Sequence, residues 1–388
     1  MTRRGAGWVA ALVAGAAIVS AQEPARQATG YAAAIDQLGS LDAHEIRMEA
    51  ARTIRRAPPE LMVPLLTRAA REHHDEYVRY RALVLLTGFG HPSTAGLMRA
   101  LIGDHNDRIR TVVFGWFGHH PDPGVLAALL GALTDERSEF VRPALSRAVA
   151  AQGDDPRAQQ ALVPLVARGE DFFRGAVIEA LGDYRAAYAL PAIEPVARLD
   201  GPLQDDAITA IGKIGDRGRV PLLAGLQGKI ADHLQPTLSA SLCLLGVSCD
   251  SHKAFILASL NYASAAEDEQ PRLRGAVHAL GMLALRGHDD ALAALLAAGP
   301  AGGPAAQPPI ALGAGLVALR EPEVVLRVLA TGPAGDAALL LLRDAFDMLD
   351  EDLEEERFFA AARRAYWAAP SDSAGRRVAE ALIRVLEF

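Results

Sequence analysis

The 388-residue sequence contains few aromatic side chains. They make up 5% of the chain, although hydrophobic residues account for 51%, so most of the hydrophobic content is Ala and Leu. Those two residues suit closely packed helices, whereas a sheet would be richer in Val, Ile, Thr and aromatic residues. The composition therefore argues against a β-rich fold and favours an all-α protein.

Basic residues are scarce relative to acidic ones. The chain carries 39 Lys and Arg against 47 Asp and Glu, a formal net charge of −8. Proteins that bind nucleic acid usually present a basic stripe to the phosphate backbone. The acidic balance makes nucleic acid a poor candidate for the partner.

The sequence near the N-terminus has an apolar run that is too short for a comfortable membrane span. Trp8–Val19 has 12 residues, against roughly 20 for a membrane helix. The run follows Arg3 and Arg4 and leads into small residues up to Ala21, an order typical of a cleavable secretory signal peptide. We expect cleavage after Ala21, no membrane span in the mature chain, and a periplasmic or secreted location. An uncleaved anchor is the alternative.

Cysteine is scarce, with Cys243 and Cys249 as its two occurrences. In an oxidising compartment a lone pair is a candidate disulfide. We predict that the two lie close enough to bridge around a turn at Gly246, which requires Cα atoms within about 7 Å. The alternative is one buried helical thiol and one loop thiol that never meet.

The dominant positive feature of the sequence is a repeat. A stretch such as Phe172–Tyr184, FFRGAVIEALGDY, recurs with an apolar anchor residue that is followed by Arg in most copies. Successive anchors are separated by 32, 31, 32, 32, 30, 31, 39 and 37 residues. The anchors are Ile46, Val78, Ile109, Val141, Phe173, Leu203, Leu234, Leu273 and Ile310. A period in this range is the signature of a solenoid.

The repeat also predicts how the chain is organised. We expect residues 1–21 to form the signal peptide and residues 22–29 a flexible leader. Residues 30–298 are expected to form an α-solenoid of stacked antiparallel helix pairs with about 30–32 residues per repeat. Gly299–Pro309 is expected to be a flexible or irregular Gly/Pro-rich insert. Residues 310–388 are expected to form divergent helical repeats and a C-terminal cap, because the terminal repeats of solenoids are commonly atypical.

The repeats resemble HEAT repeats, in particular the bacterial type in which an acidic turn leads into V-R-x-x-A-x-x-A-L-G. The nearest matches are Asp171–Gly182 and Arg272–Val277, and residues 203–215 match the back half with Gln204 in place of Arg. The resemblance covers residues 30–298 well, and it implies a right-handed superhelix whose second helices line the concave side. It specifies the fold more than the function, since such repeats serve as scaffolds, adaptors and occasionally enzymes.

The most regular polar feature is an Arg that directly follows the anchor in most repeats. We call this series the Arg ladder: Arg47, Arg79, Arg110, Arg142, Arg174 and Arg274. In the structural interpretation, which we favour, each guanidinium binds an acidic turn and helix-end carbonyls together. In the functional interpretation the ladder is a cationic stripe for an anionic partner.

Histidines cluster in several turns, but no catalytic or metal motif emerges from them. Zinc needs three or four converging ligands, and nothing in the spacing fixes such a set, so we predict no metal, no cofactor and no catalytic residue. Deoxyhypusine hydroxylases, a HEAT-like family, bind iron through repeated His-Glu pairs, whereas only His44-Glu45 has that pair here. Phycobilin lyases share the repeat type, but export and the low cysteine content do not favour that role. The histidines in question are His73, His74, His91, His105, His119 and His120.

A partner face would use the outward positions of the second helices, two and six residues after each anchor. Tyr, Trp, Met and Arg are enriched at interfaces, although a solvated ridge is the alternative for any one of them. We expect a non-enzymatic scaffold or adaptor that binds a protein or peptide along the concave face. The alternative is an enzyme or metal-dependent accessory protein that uses the His-bearing turns. The candidate partner-binding residues are Met48, Arg52, Tyr80, Trp116, Arg147, Glu179 and Asp205.

Overall fold

The computed structural model describes residues 29–40, 43–266, 268–332 and 335–388. These residues form helices joined by turns, and no strand occurs among them. They divide into two compact units, one extending to Leu97 and including Phe388, the other comprising Met98–Glu387. The all-α prediction is confirmed. The predicted signal peptide and leader lie outside the described residues, apart from residue 29.

The first unit begins with pairs of helices joined by turns, as the repeat predicts. Its helices are α1 (29–37), α2 (His44–Arg56), α3 (Pro59–Glu72) and α4 (Glu76–Thr87), and α5 (Thr94–Ala100) crosses the boundary between the units. Helix α3 packs along α4. The Asp75 carboxylate accepts hydrogen bonds from the backbone N–H groups of Tyr77 and Val78, which is the N-cap interaction that starts a helix.

The second unit continues the same alternation of shorter and longer helices, some of them preceded by one 3₁₀ turn. None of the helices in the described residues combines the length and apolar character that crossing a membrane requires. The helices are α6 (Asp107–His119), α7 (Leu126–Asp135), α8 (Arg142–Ala150), α9 (Pro156–Leu162), α10 (Asp171–Asp183), α11 (Leu190–Ala197), α12 (Gln204–Ile214), α13 (Val220–Ala224), α14 (Gln235–Leu244), α15 (Cys249–Ser264), α16 (Gln270–Ala284), α17 (Asp289–Ala301), α18 (Gln307–Arg320), α19 (Pro322–Thr331), α20 (Asp336–Leu349), α21 (Asp352–Ala368) and α22 (Ala374–Val385).

The even-numbered helices of the second unit stack in one continuous row. Each packs against the next even-numbered helix from α6 to α20, while odd-numbered helices such as α7, α11 and α17 pack behind them. Anchors at the starts of the even helices are buried in this core, and Ile109, Val141 and Leu273 are fully enclosed. A single helix pair is too small to bury its own apolar stripe, so each repeat depends on its neighbours. The predicted solenoid of stacked helix pairs is confirmed.

Small residues allow the even helices to approach closely. Gly182 in α10 lies against Ala210 in α12, and a Cβ at Gly182 would come within 2.8 Å of the Ala210 Cα. Side chains at such positions set the distance between packed helices, which is usually about 8–10 Å. The abundance of Ala and Gly in the sequence therefore serves the stacking of the row.

The predicted insert at 299–309 is wrong in extent. Residues 299–301 end α17, residues 307–309 begin α18, and only 302–306 lie between the two helices. Pro308 and Pro309 fall in the first turn of α18, where a missing N–H costs no intrahelical hydrogen bond. The two long repeat steps reflect longer helices instead, because α15 and α16 have 16 and 15 residues.

Candidate functional site

The Arg ladder binds backbone carbonyls near the end of the helix that precedes each anchor. Gln204 and Gln235 occupy the same repeat position and also donate to carbonyls, those of Ala197 and Ile230. Carbonyls at helix ends lack intrahelical partners. The side chain at this repeat position therefore supplies a hydrogen-bond donor to the end of the preceding helix. The Arg contacts are Arg47 to Ser40, Arg79 to Ala70, Arg110 to Asp104 and His105, Arg142 to Glu136, and Arg174 to Val166.

Only some of the arginines in the Arg ladder also bind a carboxylate. Arg110 holds Glu136 with two hydrogen bonds, Nε to Oε2 at 2.8 Å and Nη2 to Oε1 at 3.1 Å, and Arg174 contacts Asp171 at 2.7 Å. Burial raises the pKa of Glu136, but the hydrogen bonds and charge of Arg110, together with the backbone N–H groups of Ser138 and Arg137, hold that pKa below its usual range. Arg274 is exposed and makes no such contact with the described residues, so the ladder prediction is wrong for that rung.

The second unit contains a cavity of about 410 Å³, which we call the inner cavity. One wall is polar and comes from the C-terminal halves of α6, α8, α10 and α12. The second wall comes from α16, α18 and the residues that directly follow them, and it combines apolar residues with His278, Arg286, Arg320 and Glu321. The polar wall contains His119, Arg147, Glu179, Asp183, Tyr184 and Lys213, and the apolar part of the second wall, which we call the apolar wall, contains Val277, Gly281, Met282, Leu285, Leu316 and Val317.

Ion pairs hold the polar wall together. Asp183 binds both Arg147 and Lys213, with Lys213 Nζ 2.8 Å from its Oδ1. Glu179 lies 3.9 Å from Arg147 and 3.3 Å from Arg320 of α18. Burial alone would raise the pKa of Asp183, but the charges of Lys213, Arg147 and Arg320 hold it well below its usual range. Arg147 and Glu179, two predicted partner-binding residues, are thus engaged within the chain.

Helix α21 packs against α6 and places a second charged cluster beside the inner cavity. His119 Nε2 lies 2.7 Å from Glu354 Oε1, and Arg357 also pairs with Glu354. Burial raises the pKa of Glu354, but its contacts with His119 and Arg357 outweigh that and hold it at about 2. Gly115 allows the approach, since a Cβ there would lie 2.6 Å from the Leu353 side chain. The inner side of α6 is therefore covered by the chain itself.

The remaining predicted partner residues do not join this cluster. Trp116 stacks on His120, with ring centroids 4.2 Å apart. Asp205, another predicted partner residue, directly precedes Asp206 in α12. Burial, together with the charges of Asp205 and Glu179, raises the pKa of the Asp206 carboxyl to about 6. Three predicted residues belong to the first unit, where they are half-buried: Met48, Arg52 and Tyr80.

Two overlapping segments, residues 63–150 and 96–182, match the family model for HEAT repeats. Residues 63–182 therefore match HEAT repeats. The matched region includes α4 to α9 entirely, so the rungs of the Arg ladder from Arg79 to Arg174 lie within these HEAT repeats. No curated protein matches the sequence.

Solved structures similar to the chain share little sequence with it. For the complex of CpcE and CpcF of phycocyanin lyase from Nostoc sp. PCC7120, the identity is 18% and the TM-score 0.41, covering 66% of this chain and 94% of that one. For the Kap95:Nup1 complex, the identity is 11% and the TM-score 0.42, covering 92% of this chain and 62% of that one. For importin beta, the corresponding values are 12%, 0.35, 88% and 61%.

The HEAT repeats expose large apolar side chains along one edge, which the sequence analysis missed. Phe140 and Phe172 are 86% and 65% exposed and directly precede the anchors of α8 and α10, and Leu199, 64% exposed, lies in the turn before α12. We call these three residues the apolar edge. The signal was present in the sequence, because Phe140 and Phe172 occupy the same position in consecutive repeats.

Two histidines of the first unit make hydrogen bonds with polar side chains. His73 Nε2 lies 3.1 Å from Asp36 Oδ1, and His91 Nδ1 lies 2.8 Å from the Ser93 hydroxyl. Within the described ranges, the one group of His, Cys and carboxylate ligands close enough for a metal ion is elsewhere. It consists of Cys243, Cys249 and His288.

Cys243 and Cys249 are joined by a disulfide. Their Cα atoms are 4.1 Å apart across the turn between α14 and α15. Gly246 in this turn has a φ of 81°, a left-handed conformation that favours glycine. Both sulfur atoms are used in the bond, so this cluster does not offer thiolates to a metal.

Proposed function

We propose that the chain is a non-enzymatic scaffold that binds a protein or peptide partner along the apolar edge. The observation that carries the proposal is the exposure of Phe140 and Phe172, at 86% and 65%, in equivalent turns of adjacent HEAT repeats. Isolated exposed apolar residues are common, but apolar residues that cluster within a polar rim mark interaction sites. Aromatic side chains in such clusters supply much of the binding energy at interfaces.

The stacking of the repeats suggests what kind of partner fits. Adjacent packed helices lie about 8–10 Å apart, and a peptide in the polyproline II conformation advances about 3.1 Å per residue with three residues per turn. A peptide running along the edge would therefore place an apolar side chain opposite each repeat at every third residue. Exposed charges of both signs surround the edge, which favours a partner with mixed charges: Arg137, Glu139, Arg168, Glu170, Arg198 and Asp200.

We place the primary binding surface on the apolar edge rather than on the concave face expected from the sequence. Arg147 and Glu179 are paired with Asp183 and Arg320, and α21 covers part of α6. A partner on that face would have to compete with these ion pairs, of which Arg147–Asp183 is partly buried, with both side chains 18% exposed. The apolar edge requires no such competition.

The test compares a double variant of the edge with a matched control. We expect Phe140→Ser/Phe172→Ser to lose a partner that the wild-type chain captures from its native host. Phe255→Ser, at an exposed position in α15, should keep that partner. Surface substitutions usually change stability by less than about 0.5 kcal/mol, so thermal unfolding of both variants should match the wild type. Equal capture by the double variant would contradict the proposal.

We further propose that the chain is exported to the periplasm or secreted. The order of charged, apolar and small residues up to Ala21 supports this, as does the disulfide, since disulfides persist in oxidising compartments. N-terminal sequencing of the native protein should begin at Gln22. Recovery of a chain that retains Met1 in the soluble cytosolic fraction would contradict export.

A further inference from the structure

Arg286 is the cation of the inner cavity that lacks a carboxylate partner. Within the described residues, the other lining cations each pair with a carboxylate: Arg147 and Lys213 with Asp183, Arg320 with Glu179, and Arg357 with Glu354. Arg286 Nη2 instead donates to two backbone carbonyls, at 2.7 Å to Lys213 and 3.4 Å to Gly182. Its guanidinium therefore contributes to the cavity a charge that no neighbouring acid neutralises at contact distance.

The guanidinium retains donors that could bind a ligand. An Arg side chain has five N–H donors in a planar fork that matches a carboxylate, and Nη2 makes both hydrogen bonds that Arg286 forms with the described residues. Burial, followed by the charge of Arg185, lowers the pKa of Arg286, although Asp183 and Glu321 raise it from a distance. An anion at contact distance would relieve this cost, because hydrogen bonds between ionised groups are the strongest ones.

The apolar wall of the inner cavity adjoins Arg286. Val277 and Met282 lie on α16, Leu285 directly follows that helix and precedes Arg286, and Leu316 and Val317 line the cavity from α18. Leu316 is 45% exposed despite its position in a helix interior, so it offers apolar surface that the fold leaves uncovered. A volume of about 410 Å³ lies within the usual range for small-molecule sites, about 300–1,000 Å³.

We propose that the inner cavity binds a small organic monocarboxylate whose carboxylate pairs with Arg286 and whose apolar body lies against α16 and α18. A single unpaired guanidinium favours one negative charge over a multiply charged phosphate. The apolar wall favours a hydrocarbon body over a sugar. The site is distinct from the apolar edge and does not depend on the partner proposed there.

The test is calorimetric titration of the full chain with decanoate. We expect saturable one-to-one binding, and no binding of decyltrimethylammonium, which has the same hydrocarbon chain with a positive head group. Arg286→Gln should weaken decanoate binding by about tenfold or more, because the substitution removes hydrogen bonds between the charged guanidinium and the carboxylate. Absence of saturable decanoate binding by the wild type, or equal binding of the cationic analogue, would overturn the proposal.

A second variant tests the cavity without removing the helix-end contacts of Arg286. Leu316→Glu places a carboxylate on the apolar wall, where it should repel decanoate or occupy its position, and binding should be lost. Leu340→Glu makes the same substitution at an exposed position of α20 outside the cavity lining, and it should bind as the wild type does. Unchanged affinity in Leu316→Glu would also overturn the proposal, whatever the stability of Arg286→Gln.

Discussion

Replacing Arg110 by Gln should destabilise the second unit more than any comparable change at an exposed rung of the ladder. The Arg110 and Glu136 side chains are 16% and 7% exposed, and two hydrogen bonds join them. Arg110 also donates to the carbonyls of Asp104 and His105. Gln lacks the charge and the fork, so the substitution leaves Glu136 buried without its cation.

The expected cost follows from how far Glu136 is buried and what it retains. Removing one partner of a fully buried ion pair costs about 3–5 kcal/mol, whereas an exposed pair contributes less than about 1 kcal/mol. Glu136 keeps hydrogen bonds from the backbone N–H groups of Arg137 and Ser138, at 3.0 and 2.9 Å, which offset part of the loss. We therefore expect Arg110→Gln to lower the free energy of unfolding by about 2–3 kcal/mol.

The pH dependence has a definite sign. Burial raises the pKa of Glu136, but Arg110 and the backbone N–H groups of Ser138 and Arg137 together lower it more, so the folded-state pKa lies below the ordinary value. A carboxyl of this kind stabilises the fold fully above its unfolded pKa and loses that contribution as the pH falls through the folded pKa. The difference between wild type and Arg110→Gln should consequently be largest near neutral pH and shrink in acid.

Urea unfolding of four proteins measures the effect: wild type, Arg110→Gln, Glu136→Gln and the double variant. The coupling energy of this cycle should exceed about 1 kcal/mol, because residues in direct contact couple. Arg174→Gln is the matched control, since its carboxylate partner Asp171 is 53% exposed, and it should cost less. A loss at Arg110 no larger than that at Arg174, or a coupling energy near zero, would refute the reasoning.

Three further outcomes are expected. Because burial raises the pKa of Asp206 to about 6, the carboxyl is more easily ionised in the unfolded chain; stability should fall as the pH rises from about 4 to 6. Asp206→Asn should remove that slope in urea titrations, and an unchanged slope would contradict it. Gly182→Ala should cost about 1–3 kcal/mol by overpacking, whereas Gly375→Ala, with open space around it, should be neutral or stabilising; equal effects would count against the close packing. Thiol labelling of the denatured, unreduced protein should find no free thiol, and two reactive thiols would show that Cys243 and Cys249 are not bonded.

The repeat alone predicted most of the helices. An apolar residue at each anchor and a small or apolar residue four positions later specify a buried stripe that only stacked neighbours can cover. The even helices from α2 to α18 accordingly begin within a few residues of the predicted anchors. The exception in burial is Ile46, which is 46% exposed although it begins the series. The Arg position was also recognisable, and of its two predicted kinds of partner the helix-end carbonyls occur at more positions than the acidic turns.

Only the tertiary structure revealed the inner cavity and its charges. Asp183, Lys213 and Arg320 each lie ten residues after an anchor, but that shared position does not indicate that Arg320 of α18 reaches α10, nor that Arg286 and Glu354 lie beside them. The contact between α6 and α21 joins residues separated by 235 positions, and the accumulated geometry of the intervening helices decides it. A repeat pattern encodes how each helix pair meets the next one. It does not encode which earlier helix the last helices contact, because small differences in packing angle add up over many repeats.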